Sequence, residues 1–313
     1  MATPAYIYVE CGRRDSNPGR GLGRNLFRKD LSKPSSAIKV NTDVVEKYFA
    51  LREVNGVSKR WLCKLRGWIN HYLKYVNYEI TETKTLDYLK ILMNRHSVNS
   101  YRKKVYQIRR FLQYLNCDWA SNIKPPAEPF YMPRRISTQD IEKTLSYFEN
   151  NEYFKQVKAI IYLGISSGMR AMEMYQLNPN DIDIDNRVVY INHNPVNGQT
   201  TKTKRSRMAF FNEEAQRSLS EYLDYFHNGS SLKKLFSMTH LERLFSTAPI
   251  RVKDLRKFFS QEWDRRGGPT SIKKILMGHS LRNDIDLMHY NCQSEEDLKR
   301  IYDKVMCSKE TGF

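Results

Sequence analysis

Residues 117–136 divide this chain, because no helix or central strand survives the prolines they contain. Pro125, Pro126, Pro129 and Pro133 each lack a backbone donor and push the preceding residue away from helical geometry. Apolar spacing on both sides is helical, so the chain is expected to pack as two mainly helical bodies. We place a linker at 121–136, a helical domain at 37–120 and a second domain at 137–313. Residues 1–36 have no helical or strand period. Seven cations stand against Asp15 and Asp30 between residues 13 and 33, which reads as a flexible basic arm, with or without a role of its own.

In the first domain, Trp61, Leu65, Trp68, Tyr72 and Val76 fall at three- and four-residue steps. The last helix places Tyr101, Val105, Ile108, Leu112 and Leu115 on one stripe. Arg102, Lys103, Arg109 and Arg110 repeat after seven residues on an adjoining face, which suits either a phosphate backbone or plain solvent. Charge favours the former: 52 Lys plus Arg oppose 34 Asp plus Glu, a formal +18, and such an excess attracts polyanions by releasing their counterions. No apolar run is long enough to cross a membrane and the first thirty residues lack a signal-peptide stretch, so a cytoplasmic protein is expected. Five cysteines without C-x-x-C spacing read as free thiols rather than a disulfide framework or a zinc site.

The second domain opens where Ser137 or Thr138 caps a helix. Helices are expected around 141–149, 154–165 and 170–177, the last two separated by Gly168. Residues 187–192, the Asn197-Gly198 turn and residues 200–205 read as a β-hairpin whose period of two puts Lys202 and Lys204 on one face. Helices resume after Asn212. The fold class is thus mainly α with a small β-hairpin or three-stranded sheet. Asp181, Asp183 and Asp185 imitate a calcium loop, but Asn186 and Asn192 replace its glycine and glutamate, so we read a turn with carboxylates facing water. No Walker loop or H-E-x-x-H occurs, and neither cofactor nor metal is expected.

Four segments carry a specific resemblance in their order: Gly168-Met-Arg170-Ala-Met-Glu173, Thr201-Lys202-Thr203-Lys204, Lys253-Asp-Leu-Arg256, and Met277-Gly-His279-Ser with Tyr290 beyond. Together they resemble the tyrosine recombinase (phage integrase) family over most of residues 137–306. The resemblance implies a helical core-binding domain that clamps DNA ahead of a catalytic domain, and a site-specific enzyme that cuts and rejoins double-stranded DNA without metal or ATP. It implies Tyr290 as nucleophile, Arg170 and Arg256 as forks on the nonbridging phosphate oxygens, His279 as a further donor, and Lys202 as the acid for the leaving 5′ oxygen. Lys204 is the alternative acid or a phosphate contact. Twenty tyrosines are present, and Tyr290 is singled out only by lying eleven residues beyond His279, a spacing slightly long for the family.

Lys253 stands where most relatives carry histidine, so the acceptor of the Tyr290 proton stays open, with His289 a candidate. That departure resembles archaeal viral and plasmid integrases of fusellovirus type. Asp15-Ser16-Asn17-Pro18 is encodable as GAT-TCG-AAC-CC, the complement of GGGTTCGAATC, which is similar to the T-arm of tRNA genes. The resemblance therefore implies attachment sites within a tRNA gene and self-association into a synaptic tetramer on DNA. A type IB topoisomerase and a catalytically silent DNA-binding regulator are the alternatives. Ser294 is expected to cap a last helix striped by Leu298, Ile301, Tyr302 and Val305, docked either on its own domain or on a neighbouring subunit.

Overall fold

A computed structural model describes residues 37–229, 234–280 and 293–307. The arm at 1–36, Tyr290, His289, Cys11 and Cys292 lie outside the described residues. The chain separates into two compact units, residues 1–131 and 132–313.

Within the first unit, β1 (Ile38–Lys39) pairs antiparallel with β2 (Glu79–Ile80), and four helices follow the apolar spacing: α1 (Thr42–Val54), α2 (Lys59–Tyr75), α3 (Glu82–Arg95) and α4 (Val98–Tyr114). Asn41, Ser58 and Thr81 cap the first three, each side chain accepting a backbone N–H that the helix leaves unpaired. Leu65, Ile69 and Tyr72 of α2 meet Val105, Ile108 and Phe111 of α4 in one buried core.

In the second unit, α5 (Thr138–Phe148) starts at a reciprocal capping box between Ser137 and Asp140. Helix α6 (Phe154–Ser167) is apolar nearly all round and therefore central, packed against α8 (Glu213–Gly229) and α10 (Val252–Arg265). It ends at Gly168, whose φ of 63° favours glycine and where a Cβ would stand 2.3 Å from the Phe259 ring. The single turn α7 (Ala171–Met174) follows, shorter than expected, with Arg170 just before it.

Strands β3 (Ile182–Asp183), β4 (Val188–Ile191) and β5 (Arg207–Phe210) form an antiparallel sheet in that order, with Val189 opposite Ala209. The sheet has a core on each face, because alternation sends Val189, Ile191 and Ala209 toward α6 and its neighbours, and Val188 and Phe210 the other way. Helices α9 (Met238–Leu244), α10, α11 (Thr270–Leu276) and α12 (Glu295–Met306) complete the unit. Helix α12 packs on the second face, with Tyr302 fully buried and donating to Ser166 O at 2.9 Å. Ser294 forms the expected capping box, and the helix docks within its own unit.

Two local expectations are corrected. The returning strand is β5, not residues 200–205: Thr201 Oγ1 accepts Arg205 N and donates to Arg205 O, closing a loop before the strand begins. Lys204 has φ 55°, so strand alternation does not relate it to Lys202. Asp181 does not face water. It is buried and accepts hydrogen bonds from Asn178 N, Asn192 Nδ2 and Gln199 Nε2, which satisfy a carboxylate that burial would otherwise penalise. Among the described residues no helix is long and apolar enough to cross a membrane, and no His, Cys, Asp or Glu cluster is placed to hold a metal ion.

Candidate active site

The site is built around a buried carboxylate. Glu173, on the turn after Arg170, is 4% exposed, and its two oxygens accept four hydrogen bonds. Oε1 takes Arg170 Nη1 at 2.8 Å and Arg207 Nη1 at 3.0 Å, while Oε2 takes the Arg170 backbone N–H at 2.8 Å and Arg207 Nη2 at 2.7 Å. Burial opposes its ionisation, but the bonds and charge of Arg207, then of Arg170, outweigh that and hold its pKa below the usual value.

Arg170 uses its second fork on Gly278 O at 2.9 Å, and Arg256 Nη1 donates to Gly168 O at 2.7 Å. Both carbonyls belong to glycines with positive φ, so each guanidinium rests on a chain reversal that presents its oxygen. Burial, with Arg170 and Arg207 nearby, pushes Arg256 down to about 10, which leaves it charged at neutral pH. His279 is held below its ordinary value by burial and then by Arg256, Arg170, Lys273 and Arg207. Among the described residues, one carboxylate among three guanidinium groups leaves an excess of positive charge.

That excess faces a cleft of about 630 Å³ lined by Arg170, Arg207, Gly278 and His279 together with the loop carrying Lys202, Lys204 and Arg205. Planar forks, flexible ammonium groups and an imidazole around one cavity match the several oxygens of a phosphodiester.

Of the residues singled out in the sequence, Arg170, Lys202, Lys204 and His279 line this cleft, and Arg256 lies beside Arg170. Lys253 does not line it. It is exposed one turn before Arg256 and borders a smaller cavity with Ala171, Tyr175, Glu242 and Arg251. Tyr290 is outside the described residues. In the first unit Lys103 and Arg110 are exposed, Arg109 is half-buried, and Arg102 is turned onto Pro126 O and Glu128. Sequence reasoning missed Arg207, whose signal was masked: beside Lys202, Lys204 and Arg205 it looked like one more solvated cation.

The Phage integrase family pattern matches residues 134–293, just over half of the chain. Tyrosine recombinase XerA of Thermococcus onnurineus is 21% identical over 247 residues, covering 78% of this chain and 83% of the relative. XerA of Saccharolobus solfataricus is 26% identical over 222 residues, covering 67% and 69%. Among solved structures, the Tn1549 transposon integrase in complex with a circular intermediate DNA superposes with a TM-score of 0.61 at 13% identity, over 82% of this chain and 97% of that one. A lambda integrase (75–356) dimer bound to a COC′ core site gives 0.61 at 12% identity, over 81% and 98%. With the ordered motifs and this mainly helical fold, the match establishes that the chain belongs to the phage integrase family, the tyrosine recombinases.

Proposed function

We propose that this chain exchanges DNA strands between two specific sites through a covalent 3′-phosphotyrosine intermediate on Tyr290. The observation that carries the reading is the gathering of Arg170, His279 and Lys202 around one cleft, with Arg256 beside Arg170, in a chain of this family. The Tyr290 phenolate, its proton already lost, attacks phosphorus and its bond forms as the bond to the 5′ oxygen breaks, with Lys202 passing a proton to that leaving oxygen. Arg170 and Arg256 neutralise the nonbridging oxygens while negative charge accumulates on them, and His279 donates a further hydrogen bond. The phosphotyrosine conserves the bond energy, so a 5′ hydroxyl reseals the strand by the reverse attack, without ATP. Lys253 supplies positive charge from the N-terminal turn of α10. The helical unit ahead of residue 121 acts as a DNA clamp, with Lys103, Arg109 and Arg110 on the backbone and Arg102 bracing the linker. Four protomers assemble on two sites, in keeping with the lambda integrase tetramer bound to a Holliday junction.

The finer reading is an integrase of fusellovirus type that inserts a viral or plasmid genome at a tRNA gene. It rests on Lys253 replacing histidine and on the coding capacity of residues 15–18. One experiment separates the levels: wild-type protein and Tyr290→Phe are incubated with nicked duplexes carrying GGGTTCGAATC and with a nicked pool of randomised sequence. Denaturing gels should show a covalent adduct for wild type only, with equal DNA binding by both proteins. An adduct on the pool but none on GGGTTCGAATC discards the tRNA site, and no adduct on either discards the recombinase reading.

A further inference from the structure

Arg207 belongs to none of the motifs, yet its guanidinium joins the segments that carry them. Its side chain is 11% exposed. Both Nη atoms grip Glu173, at 3.0 and 2.7 Å, while Nε donates to Leu276 O at 3.1 Å at the end of α11. Gly278 is shaped to admit it: φ is 62°, and a Cβ there would stand 2.7 Å from Arg207 Nε. Arg207 also begins β5, five residues after Lys202 and directly after the loop that lines the cleft. One planar fork thus connects the Arg170 turn, the Lys202 loop and the His279 segment.

The hydrogen-bond pattern at Glu173 gives this link a specific consequence. With Arg207 in place, Arg170 yields only one Nη to the carboxylate and spends the other on Gly278 O. Without Arg207, Glu173 would be a buried carboxylate with half its acceptors unfilled, a state costly enough to draw both forks of Arg170 onto itself. Arg170 would then leave Gly278 and turn away from the cleft. Lysine at 207 preserves the charge but cannot hold both oxygens in a plane.

We infer that Arg207 is a positioning residue for strand cleavage, keeping Arg170 shared between Glu173 and Gly278 O in the cleft wall rather than captured by Glu173. The inference rests on the recombinase reading above. Single-turnover cleavage of the nicked randomised pool at saturating protein, DNA affinity and thermal melting are measured for wild type, R207Q, R207K, E173Q and R207Q/E173Q. R207Q should cleave about a hundredfold more slowly, the scale of losing one preorganised donor, with affinity unchanged. R207K should recover part of the rate. The double variant should be no slower than R207Q, because the two residues act as a unit.

An R207Q rate equal to wild type overturns the inference. So does a loss matched by weaker DNA binding, or multiplying losses in the double variant. If R207Q does not fold, R207K carries the comparison, and an R207K rate equal to wild type is then the overturning result. Absence of an adduct in wild type removes the recombinase reading first, and this inference with it.

Discussion

At the residue scale the second unit places charges where they oppose one another and lets the surrounding bonds decide the outcome. Among the described residues, Arg170, Arg207 and Arg256 repel, and Glu173 neutralises only one of the three. His279 registers this. Its folded pKa lies below the 6.5 of a free imidazole, because burial and four neighbouring cations disfavour the imidazolium. The unfolded chain therefore binds this proton more readily, and the contribution of His279 to stability is lost as pH falls through 6.5 toward the folded value. A phosphate in the cleft reverses the local field, so NMR titration of the His279 ring should give a midpoint below 6.5 in free protein and a higher one with duplex DNA. A midpoint unmoved by DNA would place His279 away from phosphate. Glu173 was visible in its motif, but its four hydrogen bonds were not, since Arg207 arrives from a strand 34 residues later.

At the element scale, the hairpin and the last helix show how tertiary contacts settle what periodicity leaves open. Residues 200–205 have a strand-like composition, yet buried Thr201 spends its hydroxyl on Arg205 and its backbone N–H on His193 Nδ1, which shifts pairing to β5. The loop so released is what lines the cleft. The stripe of α12 was legible, but whether it docks at home or on a neighbour was not, because an apolar stripe fits either surface equally well. Burial of Tyr302 against Phe210 and Trp263 answers that within the unit. Tyr302→Ala should destabilise the protein by about 3–5 kcal/mol, the usual cost of deleting a buried aromatic ring. Tyr302→Phe should cost only about 1 kcal/mol through the lost bond to Ser166 O. Denaturant unfolding of both variants measures the pair, and equal costs would mean that the ring is not seated as described.

At the scale of the whole molecule, the two units each bury a core of their own, one on α2 and α4, the other around α6 with a second cluster under α12. A core of that kind should sustain the first unit alone: excised residues 37–131 are expected to melt cooperatively in circular dichroism. A broad, non-cooperative melt would show that this unit depends on the rest of the chain. With a formal net charge of +18 on 313 residues, DNA affinity of the whole protein is expected to fall as added salt makes the release of DNA counterions less favourable.

What the amino-acid sequence determined by itself is everything that local chemistry dictates. Prolines stop helices, apolar spacing sets the helical faces, Ser and Asp cap them, and four ordered motifs mark the family. What only the tertiary structure decided is everything that needs partners distant along the chain. Those decisions are the register of the sheet, the home of the last helix, the burial of Asp181, and the Arg207–Glu173 pair behind the cleft. A buried charge is stable only where its partners converge in space, and spacing along a chain does not encode that convergence.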